Sequence, residues 1–353
     1  MFWTTKNGLL GIDFGTDAVK VAQMRKSNGQ LELIDATCAF SPGSASPSKS
    51  MEQLPESYWR ALKFACHSSD QYGGRDAACL LPKSCTTLQF LEFGETSRSE
   101  LQPKIQEYLE SNVPGHAELS WDFWKWSNPI DAKEQEDNGV ILTSRQLAVS
   151  TYSGFRSVGF HCRAVDGIPT VLSRAVALEA NRTHPVAAVD WGANQAEVVI
   201  VVNGQPVFVR SLRGCGLGEV IRKCSEMLCF SDQEIYQIWQ GQFQDKIGVA
   251  LHAEMCQAIQ EFVSPVIERT IEELRRTFSY LQSHRRHWRP KEVVLFGAGS
   301  LVPGIANTLN QRLSFKTSVW NPATVIDSRT EPRIPMSLLA PAMMLSTLAW
   351  EAA

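Results

Sequence analysis

A short phrase occurs twice in this chain, and it constrains the fold more than any other feature. Leu9-Leu10-Gly11-Ile12-Asp13-Phe14-Gly15-Thr16 opens the sequence, and Val186-Ala187-Ala188-Val189-Asp190-Trp191-Gly192-Ala193 returns in its middle. Each copy is an apolar strand that ends in Asp-x-Gly and runs into further β-rich sequence. An Asp at a strand end can hold a metal-bound water. The Gly two residues later lets backbone N–H groups approach phosphate oxygens with no Cβ in the way. One such turn is common punctuation. Two, one in each half of the chain, describe two lobes that each present an acidic hairpin tip to a shared crevice.

Composition narrows the class. The chain has 353 residues, 44% hydrophobic and 20% charged, as expected for a globular protein of two or three domains. A net charge of -3 supplies no basic field for nucleic acid or an anionic membrane, so neither is expected as a partner. The nine cysteines include no C-x-x-C pair, which predicts reduced, buried thiols and no zinc site. No run reaches the roughly 18 apolar residues of a membrane span. The apolar stretch from Met336 to Trp350, broken by Pro341, is expected to dock back on the body as a helix, without direct membrane insertion.

Along the chain, Leu9–Phe14, Val19–Met24 and Leu31–Phe40 predict a three-strand meander, followed by a Ser/Pro-rich loop over 41–50 and a helix over 51–68. Ala77–Leu81 predicts a strand closed by Pro82. Residues 83–162 change character. Thr86–Phe93, Trp121–Trp126 and Gly139–Val149 read as strands, and 97–112 as a helix with a Ser97/Glu100 capping box. The aromatic strand Trp121–Trp126 reads either as a partner-binding surface or as a half-buried strand. Pro169–Asn181 predicts a helix into the second lobe, where Val186–Asp190, Glu197–Val202 and Gln205–Arg210 repeat the meander with an Asn203-Gly204 hairpin turn. Helices over 218–227 and about 246–283, strand Glu292–Phe296 and a helix over 303–313 complete it.

Four constellations carry the chemistry. In the first, the backbone N–H groups of Gly15, Thr16 and Asp17 could cradle phosphate, with the Thr16 hydroxyl as a further donor and Lys20 as a point charge. In the second, Asp190, Gly192, Ala193 and Asn194 form the matching turn, and Asp190 would face Asp13 so that both hold one hydrated Mg²⁺. The third is strand 293–296 entering Gly297-Ala298-Gly299-Ser300, whose glycines let backbone lie flat against a nucleoside. The fourth is Glu273 and Arg276, one face of a long helix, a carboxylate for ribose hydroxyls and a guanidinium for adenine.

The order of these pieces resembles the actin-like ATPase superfamily. The motifs Gly11–Thr16 with Val19-Lys20-Val21, Leu81-Pro82, Asn112-Val113-Pro114, Arg210–Gly214, Glu273–Tyr280 and Phe296–Ser300 narrow the resemblance to the PilM family of type IV pilus assembly proteins. That resemblance implies an α/β, two-lobed actin-like ATPase fold, built of duplicated ribonuclease-H-like lobes with a small α+β insertion of the 1C type. Residues 1–82 and 163–185 would form subdomain 1A, with 336–353 packed back upon it; 83–162 would be the insertion, and 186–335 the second lobe. It implies ATP and Mg²⁺ between the lobes, with Asp13 and Asp190 as the catalytic and water-mediated metal residues. Gly15, Thr16, Asp17, Lys20, Gly192, Ala193, Asn194, Gly214, Glu273, Arg276, Gly297, Ala298, Gly299 and Ser300 would bind the nucleotide. It further implies a cytoplasmic scaffold, peripheral to the inner membrane, that binds an extended N-terminal peptide of a PilN-like membrane protein, with slow or absent hydrolysis. A homo-oligomer or filament belongs to the same expectation. Trp191, Asn194-Gln195 and Ala298 depart from the family pattern and bear on hydrolysis before binding. A nucleotide-independent interaction module and an FtsA-like division protein are the alternative readings; a sugar or acetate kinase of the same fold lacks a visible sugar-facing Asp.

Overall fold

The computed structural model describes residues 6–40, 51–93, 96–125, 137–179, 182, 184–240, 248–322, 326–328 and 334–351. The sequence expectations for the loop over 41–50, for Trp126 and for the start of the long helix near 246 lie outside them.

Two sheets repeat one plan. In the first, β1 (Lys6–Phe14), β2 (Ala18–Ser27) and β3 (Gln30–Phe40) form an antiparallel meander. β4 (Asp76–Leu80) joins β1 in parallel and β8 (His161–Asp166) joins β4 in parallel. In the second, β9 (Val186–Trp191), β10 (Ala196–Val202) and β11 (Gln205–Leu212) repeat the meander. There β12 (Glu292–Phe296) joins β9 in parallel and β13 (Lys316–Val319) joins β12. The hairpin turns use the same chemistry. Asn28-Gly29 and Asn203-Gly204 each take two positive φ angles, 53° and 83°, and 49° and 76°, as a type I′ turn requires.

Strand alternation explains both Asp-x-Gly tips. Successive side chains of a strand point to opposite faces. With Phe14 and Trp191 fully buried in the cores of their lobes, Asp13 and Asp190 are turned the other way. Phe14 meets Tyr58, Trp59 and Phe155 at ring separations of 5.9, 5.4 and 5.8 Å. The indole N–H of Trp191 donates to the Cys215 carbonyl at 2.6 Å.

A third, three-stranded sheet orders β5 (Thr86–Glu92), β7 (Asp137–Ser144) and β6 (Leu119–Lys125). The helix α2 (Arg98–Asn112), with the Ser97/Glu100 capping box, buries Leu101, Ile105 and Leu109 against it. The aromatic strand β6 is half-buried and divided in its contacts. Trp121 and Phe123 pack on this small core, whereas Trp124 packs on the second lobe and donates its indole N–H to the Pro206 carbonyl at 3.3 Å. The insertion is thus tied to the second lobe, an attachment that Arg285–Glu92, at 2.9 Å, repeats.

Two elements differ from the sequence reading. The strand expected over 139–149 stops at Ser144, whose hydroxyl accepts from Leu147 N–H and caps α3 (Arg145–Ser157). This helix turns Leu147, Thr151 and Phe155, at successive i+4 positions, inward; Leu147 and Phe155 join the first lobe's core. β14 (Ile326–Ser328) pairs in parallel with β3, so that part of 186–335 completes the first sheet.

The C-terminal helix (Met336–Thr347) is buried almost all round, against β1, β2, β4 and the helix Ile168–Ala177. Gly11 makes this possible: a Cβ there would fall 1.9 Å from the Ala342 carbonyl oxygen. Ser346 fastens the contact, accepting from Met24 N–H at 2.9 Å and donating to the Leu9 carbonyl at 2.5 Å.

Candidate functional site

The ends of β1 and β9 open into one cavity of about 840 Å³ between the lobes. This volume lies within the usual range for small-molecule sites. Asp13, Gly15, Thr16, Asp17 and Lys20 line it from the first lobe. Asp190, Gly192, Ala193 and Asn194 line it from the second, and Gly297 and Ala298 from the turn after β12. A further wall comes from α6 (Asp232–Trp239), which presents Gln233, Tyr236 and Gln237. The Tyr236 ring stacks across the gap on Phe40 of β3, 6.4 Å between centroids.

Each acidic tip holds an ammonium. Asp13 and Lys20 are directly opposed in the β1/β2 ladder, and Lys20 Nζ lies 2.6 Å from Asp13 Oδ2. Burial alone would lower the Lys20 ammonium, but the Asp13 carboxylate overrides it and raises it above the ordinary lysine range. On the second lobe the residue opposite Asp190 is Glu197, a like charge. Its compensating cation comes from the other lobe. Lys83, after β4, places Nζ 2.5 Å from Asp190 Oδ2 and 3.1 Å from the Asp190 carbonyl oxygen. Burial pushes the Glu197 carboxyl up, Lys83 pulls it down and Asp190 adds to the rise. Asp17 is raised as well, by burial first and then by Asp232.

Lys83 escaped the sequence reading, although the signal was adjacent. Leu81-Pro82 closes β4, and β4 runs parallel to β1 with Leu80 beside Asp13, so the residues after Pro82 emerge next to the first tip.

Five expected residues stand elsewhere. Glu273, on the long helix α7 (Val249–His284), accepts from Arg210 of β11 at 2.6 Å and from Arg276 at 2.5 Å. Arg210 also donates to the Thr277 hydroxyl at 2.7 Å, so Glu273 braces this helix on β11, and neither Glu273 nor Arg276 is among the residues lining the cavity. Gly214 sits in the turn after β11 beside Arg269. Gly299 lies on the Trp191 indole, where a Cβ would come 2.4 Å from the ring. The Ser300 hydroxyl donates to the Gly297 carbonyl at 2.7 Å and shares a hydrogen bond with the Ser337 hydroxyl at 2.7 Å. Gly299 and Ser300 thereby shape the turn that carries Gly297 and Ala298 to the cavity wall.

The chain matches the model of the family described as type IV pilus assembly protein PilM over residues 11–349. The chain belongs to the PilM family. Its fold is similar to that of a solved PilM-PilN type IV pilus biogenesis complex, with a TM-score of 0.74 at 17% identity, covering 98% of this chain and 99% of that one. It is also similar to the ethanolamine utilization protein EutJ from Carboxydothermus hydrogenoformans, at a TM-score of 0.53 and 12% identity over 97% of this chain and 90% of that one. The actin-like ATPase fold is therefore shared. No curated protein matches the sequence.

The chemistry of the donor set separates phosphate from metal. Two ammonium groups beside two turns suit anionic oxygens. The same two lysines already neutralise the carboxylates that a hydrated Mg²⁺ would need. Among the described residues no group of three or more His, Cys, Asp or Glu side chains could hold a metal ion. The lining suits the phosphates of a nucleotide; a metal held through water by Asp13 and Asp190 would have to share them with Lys20 and Lys83. Among the described residues, too, no helix is long and apolar enough to cross a membrane.

Proposed function

We propose that this PilM-family chain is an ATP-binding cytoplasmic scaffold of type IV pilus, or related secretion, assembly. The observation that carries the reading is the meeting of both Asp-x-Gly tips, with Lys20 and Lys83, at one cavity between the lobes. Lys20, Lys83 and the turns at Gly15–Asp17 and Gly192–Asn194 would hold the phosphates, with Ala298, Tyr236 and Gln233 on the remaining walls. Bound ATP would bridge the lobes and bias their closure, which needs differential affinity for the closed state and no hydrolysis. With Asp13 and Asp190 engaged by lysines, phosphate release should be slow or absent. Calorimetric titration with ATP, paired with a phosphate-release assay, tests this; absence of binding under every condition would refute it.

The partner reading is an extended N-terminal peptide of a PilN-like inner-membrane protein, which would keep the scaffold peripheral to the membrane. Its support is the family and an exposed apolar edge. β8 is the outer strand of the first sheet, and Val165 on it is 41% exposed. Val149 and Tyr152, one turn apart on α3, are 56% and 49% exposed. An extended peptide could add to that edge by main-chain hydrogen bonds and bury these side chains. Val165→Glu and Tyr152→Ala should each weaken capture of such a peptide; unchanged capture by both would remove this surface.

A further inference from the structure

We propose that the edge of the second lobe opposite the cavity is an electrostatic docking surface for anionic phospholipid headgroups. The proposal rests on the scaffold reading, which holds the chain beside a membrane, and adds the surface that would face the lipid.

Topology gathers the charge. The parallel strands β9, β12 and β13 begin at this edge, with Glu292 paired to Val186 on one side and Lys316 on the other. The far ends of β9 and β12 carry Asp190 and Gly297 to the cavity, about 15 Å away at the rise of a strand. A surface bound here would leave the cleft open. The helix α7 ends at the same edge. From Leu274 to Lys291 the sequence holds six Arg or Lys and no Asp or Glu. Of these, Arg276 pairs with Glu273, and Arg275 donates to the Arg312 carbonyl at 2.6 Å.

Ion pairs cancel part of the charge and leave the rest. Arg285 holds Glu92 of the insertion at 2.9 Å, and Arg312 holds Glu268 at 2.6 Å. Arg182 lies 2.6 Å from Glu179 and 3.0 Å from Glu292, and Lys316, 81% exposed, reaches Glu292 only at 3.9 Å. Arg182 and Lys316 thus balance Glu179 and Glu292. Arg286, Arg289 and Lys291 are exposed and make no ion pair among the described residues. They remain as a surplus of three positive charges on one edge, which the net charge of -3 for the whole chain conceals.

Cations at a helix C-terminus also complement its dipole, but that role fades within the last turn. Arg289 and Lys291 lie beyond it, and Arg289 is held over the Phe315 ring, 5.7 Å from the centroid. The neighbouring Trp288 indole is buried and cannot stack on a base, so the edge suits a layer of headgroup phosphates better than a nucleic acid. Each Lys or Arg near an anionic leaflet strengthens adsorption about fivefold, so three give about a hundredfold. That is too weak to hold a free protein. It is enough to orient one whose membrane partner already supplies a high local concentration.

The test is flotation of the full-length protein with vesicles of phosphatidylcholine alone, or of phosphatidylcholine and phosphatidylglycerol in equal parts, at low ionic strength. Wild type should float with the anionic vesicles only, and release at ~1 M salt, where the Debye length falls to about 3 Å. Arg286→Gln and Lys291→Gln should each weaken binding about fivefold. Lys26→Gln, which removes an exposed cation of the first lobe, should leave binding unchanged. Both edge side chains are exposed, and an unaltered thermal transition shows that the fold is kept. Equal binding to the two kinds of vesicle, or an equal loss from Lys26→Gln, would overturn the proposal. So would binding of a DNA duplex without binding of vesicles. Capture of the partner peptide by the same sample separates the two readings. Capture without vesicle binding overturns this surface alone; absent capture refutes the scaffold reading and this proposal with it.

Discussion

Trp191 is the residue through which packing reaches the site, and replacing it with Ala should injure both. The indole is fully buried, supports Gly299 and, through it, the turn that carries Ala298 to the cavity. Removing a buried Trp side chain costs about 3–5 kcal/mol, from lost transfer energy and the void left behind. The Cys215 carbonyl also loses its 2.6 Å donor, which adds about 1 kcal/mol if water does not replace it. Trp191→Ala should therefore lose about 4–6 kcal/mol, a large fraction of the stability of an ordinary domain. Urea denaturation followed by far-UV circular dichroism reads this as a lower midpoint; unfolding of the second lobe ahead of the first would show as a split transition. The same variant, at temperatures where it stays folded, should bind ATP more weakly, because Ala298 and Gly297 lose their backing. A loss of less than about 1 kcal/mol would mean that the indole is not the support described here.

The remaining expectations are brief. Gly11→Val places a branched side chain where the Ala342 carbonyl already stands, so it should detach the C-terminal helix; limited proteolysis should release a fragment from near residue 335, and wild-type resistance would contradict the contact. Glu273→Gln should destabilise the α7 brace on β11 and leave ATP affinity within about twofold, since its partners are Arg210 and Arg276; a large loss of affinity would restore Glu273 to the site. Thiol labelling at pH 8, read by mass spectrometry, should modify exposed Cys229 quickly and half-buried Cys66 slowly; equal rates would contradict the shielding of Cys66. Burial pushes the Cys66 thiol up to about 12, so its reactive thiolate is scarce below that value and grows as pH rises towards it.

The features legible in the sequence were those set by local periodicity. The two Asp-x-Gly strands, their meanders and the Asn-Gly turns follow from alternation and turn chemistry, which act over a few residues. So does the apolar C-terminal segment, whose lack of a polar face admits only a buried helix. What the sequence concealed depends on distant partners. Glu273 and Arg276 form the same i, i+3 pattern whether they face a ribose or a strand, and the Arg210 that holds Glu273 to β11 lies far away in sequence. Gly154 lies inside α3 with the Trp59 ring 2.1 Å from a would-be Cβ, a distant contact that no local pattern announces. Lys83 has no periodic signature at all, because its partner lies on the other lobe. The three residues of β14 are too few to announce themselves without β3.

The most direct test of the central claim, one nucleotide crevice between the duplicated strand ends, is photolabelling with 8-azido-ATP followed by peptide mapping. Label should fall on cavity-lining segments, 36–40, 233–240 or 297–301, and be removed by competing ATP. Label confined to surfaces remote from Asp13 and Asp190, or label that ATP does not displace, would contradict it.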